Sequence, residues 1–139
     1  MLVKQVRAAL VIVGSLLFLV GCAVEQDKEE ARLIAARVHA ELRTGDFGSI
    51  YSESAPRFKT VGNELQFVER MKAFQEQFGQ LNSASEVSYQ ARLDSTVGRT
   101  TVLVFELTYD RGHARESLVF VRSPEGRMQL WKLDLQPAD

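Results

Sequence analysis

The chain has 139 residues, a formal net charge of −1 and a single cysteine. This length is typical of one domain. The balanced charge, without a basic cluster, argues against nucleic acid as a partner, and a lone cysteine excludes an intrachain disulfide.

The N-terminal segment has the pattern of a secretory signal peptide. Lys4 and Arg7 supply a positive start, and an apolar run over residues 8–20 follows them. The same run, extended to residue 24, reaches the lower limit of about 17 residues for a membrane-spanning helix. An uncleaved signal anchor is therefore the alternative, and an intact Met1 in the mature protein would identify it.

The stretch Leu19-Val20-Gly21-Cys22 resembles the lipobox of bacterial lipoproteins. The resemblance implies that residues 1–21 are removed and that Cys22 is acylated, so that the membrane is a partner through Cys22. Acyl chains bind a bilayer with about 0.8 kcal/mol per buried CH₂. Ala23 stands where an inner-membrane retention signal would have aspartate. In a Gram-negative source this implies the cell envelope, at the outer membrane facing the periplasm.

A first helix is predicted from Asp27 to Gly45. Asp27 and Glu30 form a capping-box pattern at its start, and Gly45 is a typical C-cap. Residues 22–26 would then be the lipidated cysteine and a short tether, which spans less than about 20 Å even when fully extended. The folded domain is predicted over 27–136. The apolar stripe of the helix recurs at steps of three and four residues: Ala31, Ile34, Ala35, Val38 and Leu42.

Two further helices are predicted before residue 80. Asp46 can cap a short helix that Pro56 ends, and residues 57–60 follow as an extended piece. Asn63 can cap a third helix that ends at Gly79. Its apolar positions have helical spacing and are expected in the core: Phe67, Val68, Met71, Phe74 and Phe78.

An antiparallel meander is predicted after Ser83, where the apolar pattern becomes alternating. Asp110–Gly112 and Pro124–Gly126 have the composition of three-residue hairpin loops. The predicted strands are 86–93, 100–109, 115–121 and 128–135.

Three-residue loops would set the register by placing Tyr109 opposite His113 and Ser123 opposite Arg127. One face of the sheet would then be the core, with Leu103, Phe105, Leu107, Tyr109, Val119, Val121, Trp131, Leu133 and Leu135. The opposite face would expose an apolar patch of Val102, Val104, Leu118, Phe120 and Leu130.

The same register would align Glu106, Glu116 and Asp134 across three adjacent strands, beside Lys132. Like charges directly opposite each other are unfavourable, so the presence of three acids in a row has to be explained. It could be a solvated face offset by Lys132, or a register wrong by one residue. It could also be a hard-cation site, or a coupled carboxylate pair that serves as a general acid or base. These three residues are the weak catalytic candidates.

The remaining chemistry is sparse. His39 and His113 are predicted at the surface or at its boundary. Two distant histidines and an acylated cysteine do not make a zinc site. The sequence indicates no metal and no cofactor.

The order of elements resembles the NTF2-like superfamily, and its best single piece is the ending Gly126-Arg127-Met128-Gln129-Leu130-Trp131-Lys132-Leu133. The resemblance implies an α+β cone, in which three helices pack on a curved antiparallel sheet of four to five strands. Members include isomerases and dehydratases with Asp, His or Tyr in the cavity, whereas many others only bind or scaffold. No catalytic residue is carried over to this chain.

The expected function is therefore binding of a partner protein or a small ligand close to a membrane, without catalysis. A small cavity enzyme of lyase or isomerase type, using the carboxylate row, is one alternative. A homodimeric structural module of the envelope is another, because an exposed apolar patch usually meets a partner.

Overall fold

Three α-helices and a four-stranded antiparallel sheet form the α+β architecture that the sequence predicts. The computed structural model describes the backbone of residues 2–139 and the side chains of residues 21–139. The sheet has the order β1-β2-β3-β4, so each strand pairs with the next one along the chain. The helices are α1 (Leu2–Thr44), α2 (Phe47–Glu53), a 3₁₀ helix (Pro56–Thr60) and α3 (Glu64–Phe78), and the strands are β1 (Leu81–Asp94), β2 (Gly98–Tyr109), β3 (Gly112–Arg122) and β4 (Met128–Ala138).

Local signals set the end of α1 and the limits of α2 and α3 as predicted. Gly45 follows α1 with a φ of 73°, and the Asp46 side chain accepts from the backbone N–H of Ser49 at the start of α2. Asn63 and Gln66 form a reciprocal capping box at α3. Gly79 ends α3 with a φ of 81°, a conformation that residues with a Cβ atom rarely adopt.

The predicted start of the first helix is wrong. α1 already includes residues 22–26, so the residues predicted to be a tether are helical and Asp27 lies inside the helix instead of capping it. The Asp27 carboxylate bonds to arginines of the sheet instead. The side chains of residues 1–20, with most of the signal sequence and the first half of the lipobox, lie outside the described residues. Among the described residues, no helix is both long and apolar enough to cross a membrane.

Residues 57–60 are also not extended as predicted, because they belong to the 3₁₀ helix. Pro56 occupies its first turn, where a fixed φ and a missing N–H suit a helix start. The Phe58 N–H donates to the Ala55 carbonyl at 2.9 Å. This turn holds the Phe58 ring close to α2 and α3.

The core lies between the helices and one face of the sheet. The α1 stripe of Ala31, Ala35, Val38 and Leu42 is buried as predicted. So are the α3 residues Phe67 and Phe78. On β2, four alternate residues enter the same cluster as predicted: Leu103, Phe105, Leu107 and Tyr109.

The β2–β3 register differs from the predicted one by one residue. Tyr109 lies opposite Gly112, not His113, so the loop has two residues, Asp110 and Arg111. The N–H of Asp110 donates to Gln80 at 3.1 Å, and the N–H of Arg111 donates to Phe78 at 2.8 Å. These bonds tie the turn to the end of α3, and the shift of one residue moves each β3 side chain to the other face.

Three of the five residues of the predicted exposed patch therefore lie on the opposite face of the sheet. Leu118, Phe120 and Leu130 face the helices and are buried in the core. Val102 is buried on the outer face and Val104 is half-buried. The patch no longer supplies a reason to expect a homodimer.

Three residues predicted in the core lie on the outer face instead. Val119 and Val121 lie on the outer face because the β2–β3 register differs by one residue from the predicted one. Trp131 lies in a β-bulge, because Phe120 pairs with Leu130 while Val119 pairs with Lys132. They form a second cluster with Ala55 and Val97. Beyond the bulge, Leu133 and Leu135 pack against the main core as predicted.

Candidate functional site

An aromatic cleft opens where the 3₁₀ helix and α3 meet β4. It has a volume of about 260 Å³. Its lining comes from α2, the 3₁₀ helix, the following loop, α3 and β4, so five segments have to fold together to form it. The lining residues are Tyr51, Phe58, Val61, Gly62, Phe67, Arg70, Trp131, Lys132, Leu133 and Asp134; we call this set the aromatic cleft.

Aromatic contacts hold the cleft walls in place. The Phe58 ring meets the Phe67 ring edge-on at 5.4 Å, and the Tyr51 ring lies 6.1 Å from that of Phe58. The Tyr51 hydroxyl donates to the Gly62 carbonyl at 2.9 Å. Edge-to-face pairs and a bonded hydroxyl give aromatic groups a defined orientation. The walls are therefore arranged before any ligand arrives.

The cleft also carries charged groups. Arg70 lies on α3, and Lys132 places its Nζ atom 4.4 Å from the centre of the Trp131 ring. Among the described residues, neither cation forms an ion pair with a carboxylate, although Asp134 lines the same cleft. A cavity with apolar walls and available cations suits a small apolar ligand with an anionic group.

A second polar feature lies inside the core. His39 Nε2 and Glu116 Oε2 are 2.6 Å apart, and the two side chains are 6% and 0% exposed. The imidazole meets the Phe105 ring edge-on at 4.6 Å. The expectation that His39 lies at the surface or its boundary was wrong, because the α1 face that carries Val38 and Leu42 also turns His39 inward. His113 is exposed, as expected.

Glu116 affects its buried surroundings. Its second oxygen, Oε1, has no hydrogen-bond partner among the described residues. Burial and the nearby Glu116 carboxylate raise the pKa of Tyr109 far above its ordinary value. Neither His39 nor Glu116 lines the aromatic cleft.

The predicted carboxylate row does not form. Glu106 is exposed and lies opposite Arg115, Asp134 is exposed and lies opposite Ser117, and Glu116 is buried opposite Leu135. The β2–β3 register differs by one residue from the predicted one, and this shift separates the three acids. Of the explanations considered for the row, a register wrong by one residue is therefore the correct one. Within the described part of the chain, no group of three or more His, Cys, Asp or Glu could hold a metal ion.

An ion-pair network that the sequence analysis missed joins α1 to the sheet; we call it the Asp27 network. The buried Asp27 carboxylate lies 2.6 Å from Arg99 Nε and 2.6 Å from Arg122 Nη2. Glu30 lies 3.1 Å from Arg122. The network attaches α1 to the end of the sheet where β2 begins and β3 ends.

The Asp27 network should make stability depend on acid pH. Burial raises the pKa of the Asp27 carboxyl, but hydrogen bonds from Arg99 and Arg122 outweigh it and hold the pKa below its ordinary value. Because the folded-state pKa is depressed, the stabilisation is complete above about pH 4 and is lost as the pH falls through the folded-state pKa. We expect Asp27→Asn to be less stable than the wild type at pH 7, with the difference shrinking towards pH 2 in urea-unfolding measurements. Exposed Asp134→Asn is the control, and a difference that is constant with pH would contradict the prediction.

No protein-family model matches this chain, and no curated protein matches it in sequence.

Proposed function

We propose that this protein is a lipid-anchored binding protein of the cell envelope, with an NTF2-like domain. It would hold a small, largely apolar ligand bearing an anionic group in the aromatic cleft. The lipobox resemblance supports an anchor on Cys22, which is exposed. The succession of helices and an antiparallel meander supports the NTF2-like assignment. In a Gram-negative source, Ala23 after the cysteine supports attachment to the outer membrane, facing the periplasm.

The composition of the aromatic cleft is the observation that carries the binding proposal. Ligand pockets are mostly apolar and contain a few polar groups that orient the ligand. Here aromatic rings form the walls, and Arg70 and Lys132 supply the cations. A volume of about 260 Å³ limits the occupant to a small molecule, about the size of a single substituted ring.

Trp131 allows a direct test, because it lines the cleft and is the only tryptophan of the chain. We expect 4-phenylbutyrate to change the Trp131 emission at lower concentrations than its neutral analogue 4-phenylbutanol. Arg70→Gln should reduce the preference for the acid, because only Lys132 then remains as a cation in the cleft. A hydrogen bond to a charged group contributes about 1.5–3 kcal/mol, so the acid should bind at least about tenfold more weakly to this variant.

Arg115→Gln is the matched control, because Arg115 is exposed and does not line the cleft. It should bind both compounds like the wild type. If neither compound changes the Trp131 emission, or if Arg70→Gln leaves the preference for the acid unchanged, the small-ligand proposal is wrong. A partner protein would then be the remaining form of the binding function.

A further inference from the structure

One end of the sheet lies beside the part of α1 that begins at Cys22. The Asp27 network joins α1 to Arg99, the second residue of β2, and to Arg122, the last residue of β3. The β1–β2 turn (residues 95–97) and the β3–β4 loop (residues 123–127) therefore extend from this end; we call the two together the hairpin end.

The hairpin end reaches about as far as Cys22 does. An α-helix rises 1.5 Å per residue, so Cys22 lies about 7.5 Å along the α1 axis from Asp27. An extended chain advances about 3.3 Å per residue, so Thr96 and Glu125 can lie up to about 10 Å beyond Arg99 and Arg122. A bilayer that holds Cys22 would thus meet the two loops as well.

The surface of the hairpin end suits such a contact. Leu93, next to the β1–β2 turn, is 87% exposed. It pairs with Arg99 across the sheet, so its side chain lies on the face that α1 covers. An exposed leucine beside the attachment point of a helix can insert into the apolar boundary of a bilayer.

Cations also lie at this end of the sheet. Arg57 and Arg127 line one groove together with Thr96, Val97 and Glu125, and Arg92 precedes Leu93 on β1. Within the described chain, these three arginines form no ion pair.

Two acids at this end of the sheet, Asp94 at the end of β1 and Glu125 in the β3–β4 loop, are engaged locally. Asp94 Oδ1 accepts from the backbone N–H groups of Thr96 and Val97, at 2.7 and 3.1 Å. Glu125 accepts from its own N–H and from Ser123, which lowers the pKa of its carboxyl. Arg92 donates to the neutral Gln90 amide and Arg57 lies over the Trp131 ring, so neither contact neutralises the cation that a lipid phosphate would meet.

We infer that the hairpin end lies against the headgroup layer of the bilayer, with Leu93 inserted and Arg57, Arg92 and Arg127 at lipid phosphates. The inference rests on the membrane attachment at Cys22 in the proposed function. It adds an orientation, in which the opposite end of the sheet, with Asp110 and His113, points away from the membrane. Basic side chains near an anionic lipid surface are attracted to it.

The test uses the full-length protein, purified from membranes and reconstituted into phosphatidylcholine–phosphatidylglycerol vesicles. Because acylation blocks Cys22, an introduced cysteine is the single free thiol. Ser95→Cys, at the hairpin end, and His113→Cys, at the opposite end, are both exposed positions and accept a fluorescent label. With quencher-carrying headgroups in the vesicles, we expect strong quenching of the label at position 95 and none at position 113. Leu93→Ser should reduce the quenching at 95, whereas Leu65→Ser, 66% exposed on α3, should not.

The outcomes separate this inference from the proposed function. Equal quenching at both positions, in protein that still floats with the vesicles, would overturn the orientation and leave the anchor intact. Equal quenching for Leu93→Ser and the wild type would overturn the insertion of Leu93. Protein that does not float with vesicles, or that reacts with the label at Cys22, would overturn the anchor and the orientation together.

Discussion

Replacing His39 by alanine should lower the free energy of unfolding by about 3–5 kcal/mol, because it leaves the buried Glu116 side chain without its hydrogen-bond partner. Glu116 is fully buried and its Oε1 atom already lacks a partner among the described residues. His39 is therefore its one side-chain partner there. Urea unfolding at pH 7, followed by circular dichroism, measures the loss.

The matched variants separate the loss of a buried polar partner from the loss of packing. His39→Leu with Glu116→Leu removes both polar groups, and an apolar replacement of a buried pair is often neutral or stabilising. The double variant should therefore be clearly more stable than His39→Ala. Exposed Glu106→Gln should change stability by no more than about 0.5 kcal/mol. If His39→Ala loses no more stability than Glu106→Gln, then His39 and Glu116 are not a buried pair.

Phe120→Ala should cost about 3–5 kcal/mol of unfolding free energy, the usual result of emptying a buried aromatic site. The predicted register placed Phe120 in an exposed patch, whereas the structure buries it completely in the main core. The variant therefore tests the register of β3 directly. Thermal and urea unfolding give the required free energies.

Leu93→Ala is the control for Phe120→Ala, because Leu93 lies in the same sheet and is 87% exposed. Its loss should stay within about 0.5 kcal/mol. If both variants lose similarly little unfolding free energy, Phe120 lies at the surface and the predicted apolar patch exists.

Local interactions explain why much of the helical half could be predicted. Asn63 bonds to the N–H of Gln66, three residues away, and Asp46 bonds to that of Ser49. Gly45 and Gly79 have positive φ angles that depend on their own lack of a Cβ atom. Such signals act within a few residues, so the sequence carries them in readable form.

The register of the sheet could not be predicted in the same way. Gly112 suits either the last position of a three-residue loop or the first position of a strand. The choice depends on bonds from Asp110 and Arg111 to the end of α3, about thirty residues earlier in the chain. The bulge at Trp131 likewise leaves no mark in the alternating pattern of β4.

The candidate sites depend on even longer separations. His39 and Glu116 are 77 residues apart, and Asp27 and Arg122 are 95 residues apart. Of the three carboxylates predicted as a site, only Glu116 lies in the interior. Phe58 and Trp131 were visible as aromatic residues, but Arg70 had no signal that would link it to them.

The sequence by itself determined the α+β class, most of the helix ends and the lipobox pattern, since all of these depend on neighbouring residues and on the period of the apolar positions. Only the tertiary structure decided which strand faces enclose the core, where Glu116 lies and how the aromatic cleft is assembled. These features depend on pairing between distant segments, where a shift of one residue exchanges the buried and the exposed face of a strand.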